Sequence, residues 1–129
     1  MSSIFTHIVV GTNDPAASAA FYDATFAALG ISGGRSGDSA YYGGYDGGFF
    51  SVGPPRNGEP ATFANGGTIG LAAPDQAAVD QWHVAGLAHG GSDEGAPGRR
   101  DMGPSKLYGA YLRDPSGNKI AAFTFNVED

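Results

Sequence analysis

The sequence contains no cysteine, which excludes disulfides, thiolate metal sites and a cysteine nucleophile. Positive charge is scarce too. Seven Lys and Arg face thirteen Asp and Glu, for a formal net charge of −6, whereas a nucleic-acid backbone or an anionic membrane surface calls for a basic patch. Only Arg99 and Arg100 are adjacent among the cations. No apolar run approaches the roughly 18–20 residues of a membrane span. The opening Met1-Ser2-Ser3-Ile4-Phe5-Thr6-His7 lacks the charged start of a signal peptide. Neither nucleic acid nor membrane is therefore an expected partner, and a cytoplasmic protein is expected. There is also no P-loop and no G-x-G-x-x-G following a strand.

What is present is glycine and aromatic side chains: 22 Gly, 8 Pro, 8 Phe, 6 Tyr and 1 Trp in 129 residues. The length suits a single domain, 1–129, with a real core. The glycines fall between periodic apolar segments and read as turns of a strand-rich fold. Residues 4–10 read as a strand, with Phe5, His7 and Val9 on one side. Asp14-Pro15 is a helix start, and Ala19, Tyr22, Phe26 and Leu29 recur at helical spacing until Gly30. A hairpin over 39–52 follows, then a Gly/Pro/Asn-rich linker. The plan repeats with a strand at 68–73, an N-cap at Asp75 and a helix over 76–89 carrying Val79 and Trp82. Residues 92–105 read as a long loop, and long loops are often lids or binding loops. Its Arg99 and Arg100 suit either a carboxylate or phosphate on a ligand or plain solvent exposure. The last hairpin turns on Asp114-Pro115-Ser116-Gly117-Asn118, where Pro115 presets a turn dihedral, Gly117 supplies a positive φ, and Asp114 or Asn118 can bond the turn backbone.

Module one thus covers about 4–53, a linker about 54–66, and module two about 67–126. His7 and Thr68, Asp14 and Asp75, and Gly30 and Gly91 share one offset. With Phe5-Thr6-His7-Ile8-Val9, the helix pair Phe21-Tyr22, and Leu112-Arg113-Asp114-Pro115-Ser116-Gly117-Asn118-Lys119-Ile120, the chain resembles the glyoxalase / bleomycin-resistance / extradiol-dioxygenase (vicinal oxygen chelate) superfamily. The resemblance implies an α+β fold of two tandem βαβββ modules whose curled mixed sheets form a cleft, often completed by a dimer. It also implies a divalent metal held by His or Glu from the first and last strands of each module. Transferred to this chain, those positions are His7, Thr68, Ala121 and a residue around Phe50. Only His7 is a good ligand.

The thirteen carboxylates agree, because all are assigned to caps, helices, turns, loops or the tail, including Asp129. A metal needs several converging donors. His83 and His89, six apart, sit about 240° apart around a helix. No cofactor is expected, and no metal residues are assigned. His83 reads as a packed helix residue and His89 as a side chain capping a helix C-terminus. His7 is left open between a histidine satisfied within the fold, a polar handle in a ligand cleft, and a metal ligand. Strand alternation places Gly109, Tyr111 and Arg113 toward the cleft and Tyr108, Ala110 and Leu112 toward the helix. The candidate substrate-binding set is His7, Phe50, Thr68, Tyr111, Arg113 and Phe123, an aromatic concavity with few polar groups. Alternatively, these aromatics fill the curled sheet as core. The expected function is metal-independent binding of an apolar or aromatic small molecule by a homodimer. The alternatives are a superfamily lyase, isomerase or dioxygenase using His7, and a non-catalytic structural or regulatory dimer.

Overall fold

The computed structural model describes residues 4–44 and 46–128. Tyr45, Asp129 and the first three residues lie outside them. The first module comprises β1 (His7–Gly11), α1 (Pro15–Ala28), β2 (Gly33–Ser36), β3 (Ser39–Gly44) and β4 (Gly48–Gly53). The second comprises β5 (Ile69–Ala72), α2 (Gln76–Ala88), β6 (Ser92–Arg99), β7 (Tyr108–Arg113) and β8 (Lys119–Thr124). Two four-stranded mixed sheets result, ordered β1-β4-β3-β2 and β5-β8-β7-β6. In each, the first and last strands of the module are parallel neighbours. This is the α+β fold of two βαβββ modules, with open sheets rather than a closed barrel.

Both helices begin where their caps dictate. The side chain of Asp14 accepts from the Ala17 amide at 3.1 Å, and that of Asp75 from the Ala78 amide at 2.9 Å. Each satisfies one of the amides that a helix start leaves without a partner. Gly30 ends α1 with φ 78°, a left-handed conformation that suits glycine. One helix face is apolar and packs on its sheet. Phe26 stacks on Tyr42 at 4.6 Å, and Tyr22 lies 4.8 Å from Phe50. In module two, Val79 and Trp82 are fully buried with Leu112 and Ile120. Burying a side chain of this size stabilises by about 1.5–3 kcal/mol. Gly86 of α2 lets Leu112 approach, since a Cβ there would sit 2.3 Å from the Leu112 Cδ1.

Residues 92–105 are not simply a loop, since 92–99 form β6. This edge strand pairs with β7 through two register shifts, and such bulges break the alternation by which a strand is recognised. Asp93 and Glu94 therefore lie on a strand. Asp93 accepts from or pairs with the buried His83 Nε2 at 2.9 Å, and Glu94 pairs with Arg113. Arg99 is paired with Asp101, and Arg100 donates to the Ala96 carbonyl. His89 Nδ1 lies 2.8 Å from the Ala85 carbonyl at the end of α2.

Several of these pairs give stability a defined pH range. Hydrogen bonds from Arg35, His83 and Arg99 hold the carboxyls of Asp23, Asp93 and Asp101 below their ordinary value. A lowered folded pKa contributes stability above the unfolded value, about 3.9, and that stability is lost as pH falls through the folded values. Tyr22 and Tyr42 are pushed upward, first by burial, and Tyr108 first by its bond to Asp80. Their contribution is complete below the unfolded value of about 10 and is lost as pH rises toward the folded values. Denaturation followed by circular dichroism should give a stability plateau between about pH 4 and pH 10 that falls at both ends.

Candidate functional site

Each sheet has one face under its helix and one face turned away from it, and the register assigns every side chain to one or the other. In module one, Ile8 is opposite Phe50 and Val10 opposite Val52, all toward α1. His7 is opposite Phe49 and Val9 opposite Ser51 on the free face. Tyr41 pairs with Ser51 and joins that face, while Tyr42 pairs with Phe50 beneath the helix. Phe50 is 4% exposed and packs on Tyr22 and Phe26. It is therefore a core residue beneath α1, and Phe49 takes the place assigned to it by sequence. Since His7 corresponds to Thr68 and Val9 to Gly70, Ser51 corresponds to Ala121, which is opposite Gly70.

His7 is exposed. Its ring stacks on Phe49 at 5.1 Å and 12°, and its Nδ1 lies 2.9 Å from the Thr6 hydroxyl. Next to this platform, Ser36, Ser39, Tyr41, Phe49 and Ser51 line a cavity of about 390 Å³. The module-two face is arranged differently, because its own side chains fill it. Tyr111 is opposite Ala121 in the ladder and meets Phe123 edge to face at 5.5 Å. Phe123 lies over Gly109, where a Cβ would come within 2.3 Å of the ring. The Lys119 ammonium sits 5.0 Å from the centre of the Tyr111 ring, a cation–π contact. Ala121 is 1% exposed among these groups. Arg113 shares the face, as alternation predicts. It is engaged by Glu94, by the Gly117 carbonyl at 2.9 Å and by the Phe63 ring at 5.2 Å.

Edge strands β1 and β5 bring the two faces together. Val9 shares a cleft of about 290 Å³ with Thr68 and Lys119. The structure thus joins Thr68 to the β1 side of the site and groups Tyr111, Phe123 and Arg113 in module two. It leaves Phe50 in the core. Sequence reasoning missed Phe49, Tyr41, Ser39, Ser51 and Lys119. The doublets Tyr41-Tyr42 and Phe49-Phe50 put one ring on each face, so a one-residue uncertainty exchanges core for cleft. Only the pairing of β4 with β1 decides between them.

The four positions where the fold would hold a metal are His7, Ser51, Thr68 and Ala121. One imidazole, two hydroxyls and a buried methyl do not make a divalent-metal set. Among the described residues, no group of three or more His, Cys, Asp or Glu gathers. The donors present do not fit the group that the fold family implies.

The profile of the Glyoxalase/Bleomycin resistance protein/Dioxygenase superfamily matches residues 4–122. The chain belongs to this superfamily. A glyoxalase/bleomycin resistance protein from Albidiferax ferrireducens is 46% identical over 95% of this chain and 99% of its own, with a TM-score of 0.89. The lactoylglutathione lyase of Agrobacterium tumefaciens shares the fold at 24% identity and a TM-score of 0.63, covering 96% of this chain and 94% of its own. A glyoxalase-related enzyme from Fulvimarina pelagi does so at 18% identity and 0.66, over 96% and 88%. No curated protein matches the sequence. Among the described residues, no helix is long and apolar enough to cross a membrane.

Proposed function

We propose that this superfamily member binds an apolar or aromatic small molecule in the concave cleft without a metal, acting as one domain of two modules. The observation that carries the reading is the contrast between the two kinds of site on one face. The metal positions hold one good donor among four, while the adjoining His7–Phe49 stack borders an open cavity of about 390 Å³. A few polar groups in an aromatic-lined concavity are the usual composition of a small-molecule site. The reading includes a homodimer, since Phe5, Val9 and Phe125 leave apolar surface exposed, Val9 by 63% on the cleft face itself.

Aromatic probes such as indole should raise the melting temperature saturably, following RT ln(1 + [L]/Kd). The shift should persist in EDTA and disappear in Phe49→Ala. An unchanged melting temperature with every apolar or aromatic probe would overturn the reading. A second reading, an enzyme using His7 as acid or base, is favoured by one feature. The His7 Nε2 has no hydrogen-bond partner among the described residues, which leaves it open to a ligand. Under that reading, His7→Gln abolishes a turnover while leaving ligand affinity unchanged.

A further inference from the structure

We infer that the ligand of this cleft is an uncharged aromatic carrying hydroxyl or carbonyl groups, seated on the module-one half. The inference rests on the small-molecule reading above and narrows its chemical class.

The first observation concerns charge. Among the described residues, the module-one strand side chains on the cleft face are His7, Val9, Ser36, Ser39, Tyr41, Phe49 and Ser51, and none of these is a carboxylate, guanidinium or ammonium. Arg35 of β2 turns to the other face, where Asp23 of α1 engages it through both carboxylate oxygens. A charged ligand group seated there would lose water without gaining a counter-ion, which is costly. On the module-two part of the face, Arg113 is held by Glu94 and Lys119 by the Tyr111 ring.

The second concerns hydrogen bonding. Ser36, Ser39, Tyr41 and Ser51 all border the cavity, and among the described residues none of their hydroxyls has a hydrogen-bond partner. Each can both donate and accept, so together they match a ligand that bears neutral polar groups rather than a pure hydrocarbon. The third is shape. Phe49, already stacked on His7 at 12°, presents its ring to the same cavity, and offset stacking favours a flat partner. A flat ring on Phe49 with its polar edge toward the serines satisfies all three.

Calorimetric titration of three probes that share one ring system tests this at neutral pH: 2-naphthol, naphthalene and 2-naphthoate. The expected order is 2-naphthol tightest, by about fivefold or more over naphthalene, as befits at least one neutral hydrogen bond. Ser39→Ala combined with Ser51→Ala, and separately Tyr41→Phe, should lower 2-naphthol affinity toward that of naphthalene and leave naphthalene unchanged. Circular dichroism and the unchanged naphthalene affinity establish that the variants are folded. If naphthalene binds as tightly as 2-naphthol, the cleft takes aromatics but the hydroxyl specificity is wrong. If 2-naphthoate binds tightest and loses its advantage in Lys119→Met, the ligand is an anion held at the module seam and this inference fails. If none of the three binds, the small-molecule reading fails with it.

Discussion

Replacing Asp114 with alanine is expected to lower stability by about 3 kcal/mol or more, and the melting temperature by roughly 10 °C for a domain of this size. The carboxylate is 3% exposed and accepts four hydrogen bonds. Oδ1 takes the amides of Ser116 and Asn118, each at 2.9 Å, and Oδ2 takes the Tyr22 hydroxyl at 2.6 Å and the Asn118 side-chain amide at 2.8 Å. The same Asn118 amide donates to the Gly11 carbonyl at 3.0 Å. One buried group thus shapes the second module's hairpin turn and fastens it to α1 and the end of β1. Alanine would leave several buried donors without an acceptor, each costing about 1–3 kcal/mol. Tyr22→Phe removes only one of the four bonds and should cost about 1–2 kcal/mol. Urea denaturation of the single variants and the double variant checks this. Because the Tyr22–Asp114 bond can be lost only once, the two effects should add to less than their sum. Strict additivity would contradict the account.

Ala121→Glu, which restores a carboxylate at the one metal position that has no donor, is expected to destabilise by about 3 kcal/mol. Ala121 is 1% exposed beside Tyr111 and Phe123, so the longer side chain must displace rings that fill the face. Among the described residues on that face, Arg113 is already held by Glu94, and Lys119 would have to leave the Tyr111 ring to meet its charge. Adding zinc, nickel or manganese should not recover the melting temperature. His7 alone is too few ligands beside the new carboxylate, with hydroxyls at Ser51 and Thr68. Recovery of several degrees with any of these metals would show that the remaining positions suffice after all.

How much of this was legible in the sequence differs sharply between frame and site. The caps at Asp14 and Asp75, the turn at 114–118 and the inward run of Ala110 and Leu112 are local signals, and local chemistry settles them. The Tyr22 hydroxyl on Asp114 was not readable, because its partner lies 92 residues away and only the packing of α1 on the hairpin brings them together. β6 was hidden because its bulges, glycines and proline erase the alternation that marks a strand. Phe50 was assigned to the cleft because two adjacent phenylalanines look alike until β1 fixes the register. The open cavity beside Phe49 was invisible for a different reason. Serines on a strand carry little pattern, and their value as ligand groups appears only once Ser36, Ser39 and Ser51 are seen to face the same space.

The central claim is that this cleft works through a stacked ring platform and neutral hydroxyls rather than through a metal. Elemental analysis of the purified native chain tests it most directly, with His7→Ala measured in parallel. The account predicts well under one equivalent of nickel, zinc, iron or manganese per chain, and the same content in the variant. A content near one metal per chain that is lost in His7→Ala would contradict it.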